Sequence, residues 1–117
     1  MENSTPEISI IIPTYNGERF LAATLDSVLA QTVTDWECIV VDDGSRDGSA
    51  AIVERFTAQD GRIRLVKQAN GGIAHARNRG LAEISSRSKY VCFLDHDDVW
   101  ESDALETLRA ALEIIPN

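Results

Sequence analysis

The sequence predicts an α/β protein: a mostly parallel sheet with helices on both faces. Short, nearly continuous apolar runs alternate with longer segments whose apolar residues recur at helical spacing, the pattern of repeated βαβ units. The chain has 117 residues, 44% hydrophobic and 26% charged, which suits one soluble domain of modest size. Three of the four predicted strands run straight into polar clusters, as strands of an open parallel sheet do at their ligand-binding carboxyl ends.

The first strand is residues 8–13 (ISIIIP), β-branched and apolar on both faces, and should lie centrally. Residues 18–29 form the first helix, with Leu21, Leu25, Val28 and Leu29 on one face. Asn16 or Gly17 is its expected cap, and Glu18 sits in the first turn, where negative charge suits the helix dipole. The second strand, residues 36–41, ends at Asp42-Asp43-Gly44-Ser45. Asp47 caps a second helix whose Ile52, Val53 and Phe56 face the sheet, and residues 63–66 form a short third strand. After an Asn70-Gly71-Gly72 turn, a third helix runs over residues 73–84. Gly80 inside it costs about 1 kcal/mol relative to Ala, so close packing against a neighbouring backbone is its expected reason. The fourth strand, residues 90–94, also ends in acid, and lies on the other side of the first strand from the second. A final amphipathic helix carries Leu105, Leu108, Leu112 and Ile115, before Pro116. Neither a linker nor a repeat interrupts the pattern, so residues 1–117 read as a single domain.

No apolar run approaches the ~20 residues that span a bilayer, and the start MENSTPE has no secretory pattern; Asn3-Ser4-Thr5 is then a chance match to a glycosylation acceptor. The expected location is cytoplasmic, free or peripheral at the inner face of the membrane. Nineteen acidic and 11 basic residues give a net charge of −8, which argues against a phosphate-tracking nucleic-acid surface. Cys38 and Cys92 lie inside apolar runs without metal-ligand spacing and read as reduced core thiols. A zinc site would need both to converge with His75 and His96 from four separate segments.

The chemistry is expected at the strand ends. One polar loop there means little, but Thr14-Tyr15-Asn16-Gly17, Asp42-Asp43-Gly44-Ser45 and Asp95-His96-Asp97-Asp98 fall on one edge. Crowded carboxylates repel one another and call for a cation or a set of donors. The last cluster is the metal candidate: Mg²⁺ and Mn²⁺ prefer carboxylate oxygens, and Mg²⁺ commonly shares them with substrate phosphates. Such an ion would reconcile an acidic protein with an anionic diphosphate. The bland alternative makes Asp98 a helix cap with acids in the first turn, and His96 a partly exposed loop residue. Tyr15 could stack on a base or merely cover the sheet end. Asp43 could accept from a nucleobase N–H or cap Gly44-Ser45. Arg77, one turn into the third helix, is either solvated or near phosphate, which helix N-termini and arginine both favour. Neither GxGxxG after the first strand nor GxxxxGK[ST] is present, so a dinucleotide dehydrogenase and a P-loop NTPase are disfavoured.

Several segments together resemble the start of glycosyltransferase family 2. They are residues 10–16 (IIIPTYN), 27–32 (SVLAQT), 37–48 (ECIVVDDGSRDG), 70–72 (NGG), 76–81 (ARNRGL) and 93–100 (FLDHDDVW). They cover nearly the whole chain, in order and at the family's spacing. The resemblance implies a GT-A fold, a Rossmann-like sheet that binds a nucleotide-diphospho-sugar and transfers the sugar with inversion. It implies donor-binding roles for Pro13, Thr14, Tyr15, Asn16, Asp42, Asp43, Arg77 and Asp95. Pro13 and Tyr15 would line the base pocket, Asp43 would bond the base, and Arg77 would lie near the diphosphate. Asp95-His96-Asp97 corresponds to the DxD motif, which puts Mn²⁺ or Mg²⁺ on Asp95 and Asp97; His96 departs from the small residue often found between those acids.

A general base must take the acceptor's proton, and the family's base lies well past the DxD motif, beyond Asn117. The chain therefore reads as the donor-binding half of the fold, truncated after that motif, with no catalytic base of its own. The implied donor is a nucleotide-sugar, UDP-sugar first; the implied acceptor is a sugar, lipid-linked or polysaccharide hydroxyl, as in polysaccharide and cell-wall biosynthesis. Such a half leaves surface uncovered, so self-association is expected. The main alternative is a nucleotide-binding or assembly module without turnover. A phosphate-accepting signalling domain would place its acidic pair after the first strand, where Pro13-Thr14-Tyr15-Asn16 stands instead. A nucleotidyltransferase would need a basic Gly-rich loop there.

Overall fold

The computed structural model describes residues 6–114. Four strands and four helices alternate: β1 Ile8–Thr14, α1 Leu21–Leu29, β2 Trp36–Asp42, α2 Ser49–Gln59, β3 Ile63–Lys67, α3 Ile73–Glu83, β4 Tyr90–Phe93 and α4 Ala104–Ile114. The sheet runs β3-β2-β1-β4 and every pairing is parallel, with Ile11 opposite Ile39 on one side and Phe93 on the other. β1 is buried along its whole length, as its unbroken apolar run requires. β2 and β4 flank it, so the direction of winding reverses beside β1 and opens a crevice at the carboxyl edge.

The larger core packs Ile8, Ile10, Ile12, Cys38 and Val40 of the sheet against Leu21, Leu25 and Val28 of α1, Val53 and Phe56 of α2, and Leu105 of α4. The opposite face places Ile39, Val41 and Val66 against Ala76 of α3. Among the described residues α3 is the helix that packs there, and Val91 and Phe93 on the edge strand β4 remain exposed. The cysteines are free and buried. Among the described residues no helix is long and apolar enough to cross a membrane. Asn3-Ser4-Thr5, Ile115 and Pro116 lie outside the described residues.

Several local expectations are corrected. α1 begins at Leu21 rather than residue 18, because residues 16–18 are engaged elsewhere. Asn16 takes a left-handed φ of 53° and its Oδ1 accepts the Arg46 amide (2.9 Å), while the Glu18 carboxylate accepts the Gly48 amide. The amides of Phe20 and Leu21 donate to the Gly17 carbonyl (2.9 and 3.0 Å) without any capping side chain. Asp98 is not a helix cap, since α4 starts only at Ala104. Gly80 does sit at a close contact, but with a side chain: a Cβ there would clash with Ile11 Cγ2. Leu108, expected on the packed face of α4, is exposed. Asp47 is not the cap of α2, which is Gly48, but it supports the helix start from one position earlier, its Oδ1 accepting both the amide (2.9 Å) and the hydroxyl (2.6 Å) of Ser49.

Candidate donor-binding site

Four loops meet at the carboxyl edge. The loop after β1 leaves Tyr15 44% exposed and Thr14 buried. Thr14 Oγ1 hydrogen-bonds His96 Nδ1 at 2.9 Å, which ties this loop to the acidic one after β4. Gly17 is required there, because a Cβ would stand 2.7 Å from Thr14 Oγ1 and 2.8 Å from His96 Nδ1. Asn16 reaches the loop after β2 through the Ser45 hydroxyl, which accepts the Asn16 amide at 2.8 Å.

The two aspartates after β2 divide their work. Asp42 turns inward and its Oδ1 takes the Ser45 amide (3.0 Å), the local role the sequence had suggested for Asp43. Asp43, 3% exposed, reaches across to residues 68–72 instead. Its Oδ1 accepts from Gln68 Nε2 and the Gly71 amide (both 2.8 Å), and its Oδ2 from Asn70 Nδ2 (3.1 Å) and the Gly72 amide (2.9 Å). A carboxylate offers about four lone-pair sites, so Asp43 is saturated. Burial pushes its carboxyl up, but the Gln68 side chain and the Gly71 and Gly72 amides, with His75 beside it, outweigh burial and hold it below the ordinary value. Gly44, at φ +79°, permits the close approach: a Cβ there would meet the Asn70 amide nitrogen at 2.9 Å.

A slot of about 120 Å³ opens between these loops, lined by Pro13, Thr14, Tyr15, Asp43, Ile73, Ala76 and His96. A wider cavity of about 250 Å³ adjoins it, sharing Pro13, Ile73 and His96 and adding Asp95 and Asp97. The apolar slot therefore runs into an acidic mouth. A third cavity of about 230 Å³ lies at the other end of the sheet, beside Trp36, Arg62 and Arg64. There the Arg62 guanidinium, held by Asp60 at 2.7 Å, stacks on the Trp36 ring, and none of the cavity's lining residues belongs to the crevice loops.

Asp95, Asp97 and Asp98 are exposed, and each can place a carboxylate oxygen within 4.8 Å of the others. The Asp98 amide donates to the Asp95 carbonyl (3.0 Å), closing the turn that gathers them. The donor set is all carboxylate, which fits Mg²⁺ or Mn²⁺; the imidazole of His96 is engaged with Thr14, and neither cysteine is near. Asp98 joins the pair that the sequence had singled out. His96, partly exposed in its loop as expected, is a wall of both cavities. Arg77 lies 3.9 Å from Asp95 Oδ1 and 5.5 Å from the Phe93 ring centre, beside the acidic mouth. Gln68 escaped notice because its contact to Asp43 spans 25 positions; the adjacent Asn70-Gly71-Gly72 turn was the available signal.

Across residues 9–117 the chain matches the family model described as glycosyl transferase family 2. The chain belongs to that family. It is 43% identical over 108 residues to the uncharacterized glycosyltransferase EpsJ of Bacillus subtilis (strain 168), an alignment covering 92% of this chain and 31% of EpsJ. Among solved structures it resembles S. aureus TarS 1-349 in complex with UDP-GlcNAc, with a TM-score of 0.83 and 29% identity, covering 92% of this chain and 31% of that one. It also resembles the mannosyltransferase PcManGT from Pyrobaculum calidifontis in complex with GDP-Man and Mn²⁺, with a TM-score of 0.81, 28% identity and coverage of 97% and 33%. The GT-A, Rossmann-like fold expected from the sequence is thus the fold observed. The family 2 chain here spans about a third of the length of these relatives.

Proposed function

We propose that this chain is the donor-binding half of a glycosyltransferase and holds a nucleotide-diphospho-sugar, UDP-sugar first, in the crevice between Tyr15 and Asp97. One observation carries the reading: in a family 2 chain, the apolar slot adjoins the cavity lined by Asp95 and Asp97 and shares Pro13, Ile73 and His96 with it, an arrangement that suits a base at one end and a cation-held diphosphate at the other. The UDP-GlcNAc held by TarS and the GDP-Man and Mn²⁺ held by PcManGT support the ligand class.

In this reading the base enters the slot against Tyr15 and Pro13, with Ile73 and Ala76 as its apolar floor. For a base N–H to reach Asp43, one of the four donors must give way. Gln68 Nε2 is the one suited to leave, since it has a second acceptor in His75 Nδ1 at 3.1 Å. Thr14, Asn16 and Asp42 shape the loops around the base and ribose. Asp95 and Asp97 hold Mn²⁺ or Mg²⁺, with Asp98 in reach, and Arg77 turns from Asp95 toward the diphosphate. A bound ion would offset the charge that develops on the departing nucleoside diphosphate. The acceptor hydroxyl, on a sugar, lipid-linked or polysaccharide acceptor, attacks from the opposite face with inversion. Its general base belongs to the part of the relatives that this chain does not span.

A second reading is a nucleotide-binding or assembly module without turnover, favoured by the exposed Val91 and Phe93 on the β4 edge, which support association through that edge. Calorimetric titration of UDP in Mn²⁺ and in chelator tests the site, with tighter binding expected in Mn²⁺; equal affinity would overturn the metal assignment. Donor hydrolysis assayed on the same samples separates the two readings.

A further inference from the structure

We propose that His96 is a positioning residue that couples the base end of the cleft to its metal end, a role that rests on the donor-site reading above. Residue 96 is held by both its side chain and its backbone. Its Nδ1 hydrogen-bonds Thr14 Oγ1 at 2.9 Å, in the loop that carries Tyr15. Its carbonyl accepts the hydroxyl of the fully buried Thr24 on α1 at 2.7 Å. The imidazole stands where a side chain at position 17 would stand: a Cβ on Gly17 would lie 2.8 Å from Nδ1 and 2.9 Å from Cγ. A solvated loop histidine has no need of such a vacated position.

Asp95 and Asp97 are its immediate neighbours, and both are exposed; among the described residues the 3.9 Å Arg77 contact on Asp95 is the ion pair that steadies them. The direction of their carboxylates is therefore set by the backbone at His96 and by the turn that the Asp98 amide closes. Because the Thr14–His96 bond joins the loop after β1 to this turn, seating a base against Tyr15 braces the carboxylates, and a bound cation braces the base loop. The two binding events should reinforce one another through that bond. The hydrogen bond and the packing make this link in either tautomer of the imidazole.

The test compares wild type, His96→Ala, His96→Asn, Thr14→Val and the Thr14→Val/His96→Ala double variant. The readouts are UDP affinity in Mn²⁺, UDP affinity in chelator, and Mn²⁺ binding by electron paramagnetic resonance with and without UDP. Asn offers a polar atom near the position of Nδ1, so it keeps the bond to Thr14. His96→Ala and Thr14→Val should each lower the Mn²⁺ enhancement of UDP binding by about tenfold, the scale typical for residues that orient metal ligands. His96→Asn should recover most of the enhancement, and the double variant should lose no more than either single one. A wild-type enhancement that His96→Ala and Thr14→Val both preserve would overturn the coupling, as would losses that add in the double variant. If His96→Ala fails to fold, Thr14→Val and His96→Asn still decide. Absence of any Mn²⁺ enhancement in wild type would overturn the donor-site reading itself, and the two failures are thereby distinguishable.

Discussion

Replacing Asp43 with alanine should loosen the segment that forms one wall of the slot. The carboxylate accepts from two backbone amides and two side-chain amides, all reaching from residues 68–72 to the end of β2. Hydrogen bonds to a charged group contribute about 1.5–3 kcal/mol each where the partners stay dry. Asn70, Gly71 and Gly72 are exposed, so on truncation their N–H groups return to water and much of that sum is recovered. Counting roughly two bonds' worth leaves an expected loss of about 3 kcal/mol. Urea unfolding measures the loss, and hydrogen exchange at the Gly71 and Gly72 amides locates it, because both should lose their protection in the variant. The pH dependence has a definite sign. The Asp43 carboxyl is held below its ordinary value, so its stabilisation is present above the unfolded value near pH ~4 and disappears as pH falls through the folded one. The gap between wild type and Asp43→Ala should therefore be full at neutral pH and close in acid. A loss below about 0.5 kcal/mol at pH 7, the range of ordinary surface changes, or one independent of pH would refute this account of Asp43.

Gly80→Ala should destabilise by about 1–3 kcal/mol despite alanine's better helix propensity, because its Cβ meets Ile11 Cγ2. In an Ile11→Ala background the same change should cost less, and urea unfolding of the four proteins checks the coupling. Cys38 is fully buried, and burial together with the neighbouring Glu37 pushes its thiol far up, so a bulky thiol reagent should label it only after unfolding. Cys92, raised by burial alone, should also label far more slowly than a free thiol, and rapid native labelling of both would contradict the packing. Asp97→Ala should abolish most of the Mn²⁺ dependence of UDP binding while shifting stability by no more than about 0.5 kcal/mol, since the side chain is exposed. Calorimetry and thermal unfolding on the same variant read both.

The sheet was legible because its strands are continuous apolar runs closed by polar clusters, and a strand buried on both faces leaves little choice of partner. Ile8–Thr14 between Trp36–Asp42 and Tyr90–Phe93 follows from that pattern and from parallel α/β winding. The misread features are decided by contacts far apart in sequence. Asn16 and Glu18 look like local helix starters, yet their side chains serve the loop 30 positions away. Gly80 announces a close approach but not its partner, Ile11, which lies 69 positions earlier. Asp43 looked like a free acceptor because its four donors arrive from another loop, and the bond that the partly exposed His96 makes to Thr14 was hidden because it spans 82 positions. The carboxylate cluster was visible for the opposite reason: Asp95, Asp97 and Asp98 are adjacent, and one turn suffices to gather them.

The most direct test of the central claim is to place the cation relative to the nucleotide. With UDP bound, substoichiometric Mn²⁺ should broaden the amide signals of residues 95–98 first and those of the loop after β1 next, while β3 and α2 stay sharp. UDP alone should shift the signals of Tyr15, Asp43 and Ala76 without that broadening. Broadening centred on another acidic region, such as Glu54 on α2, or unchanged by UDP, would contradict a single cleft that joins base and metal.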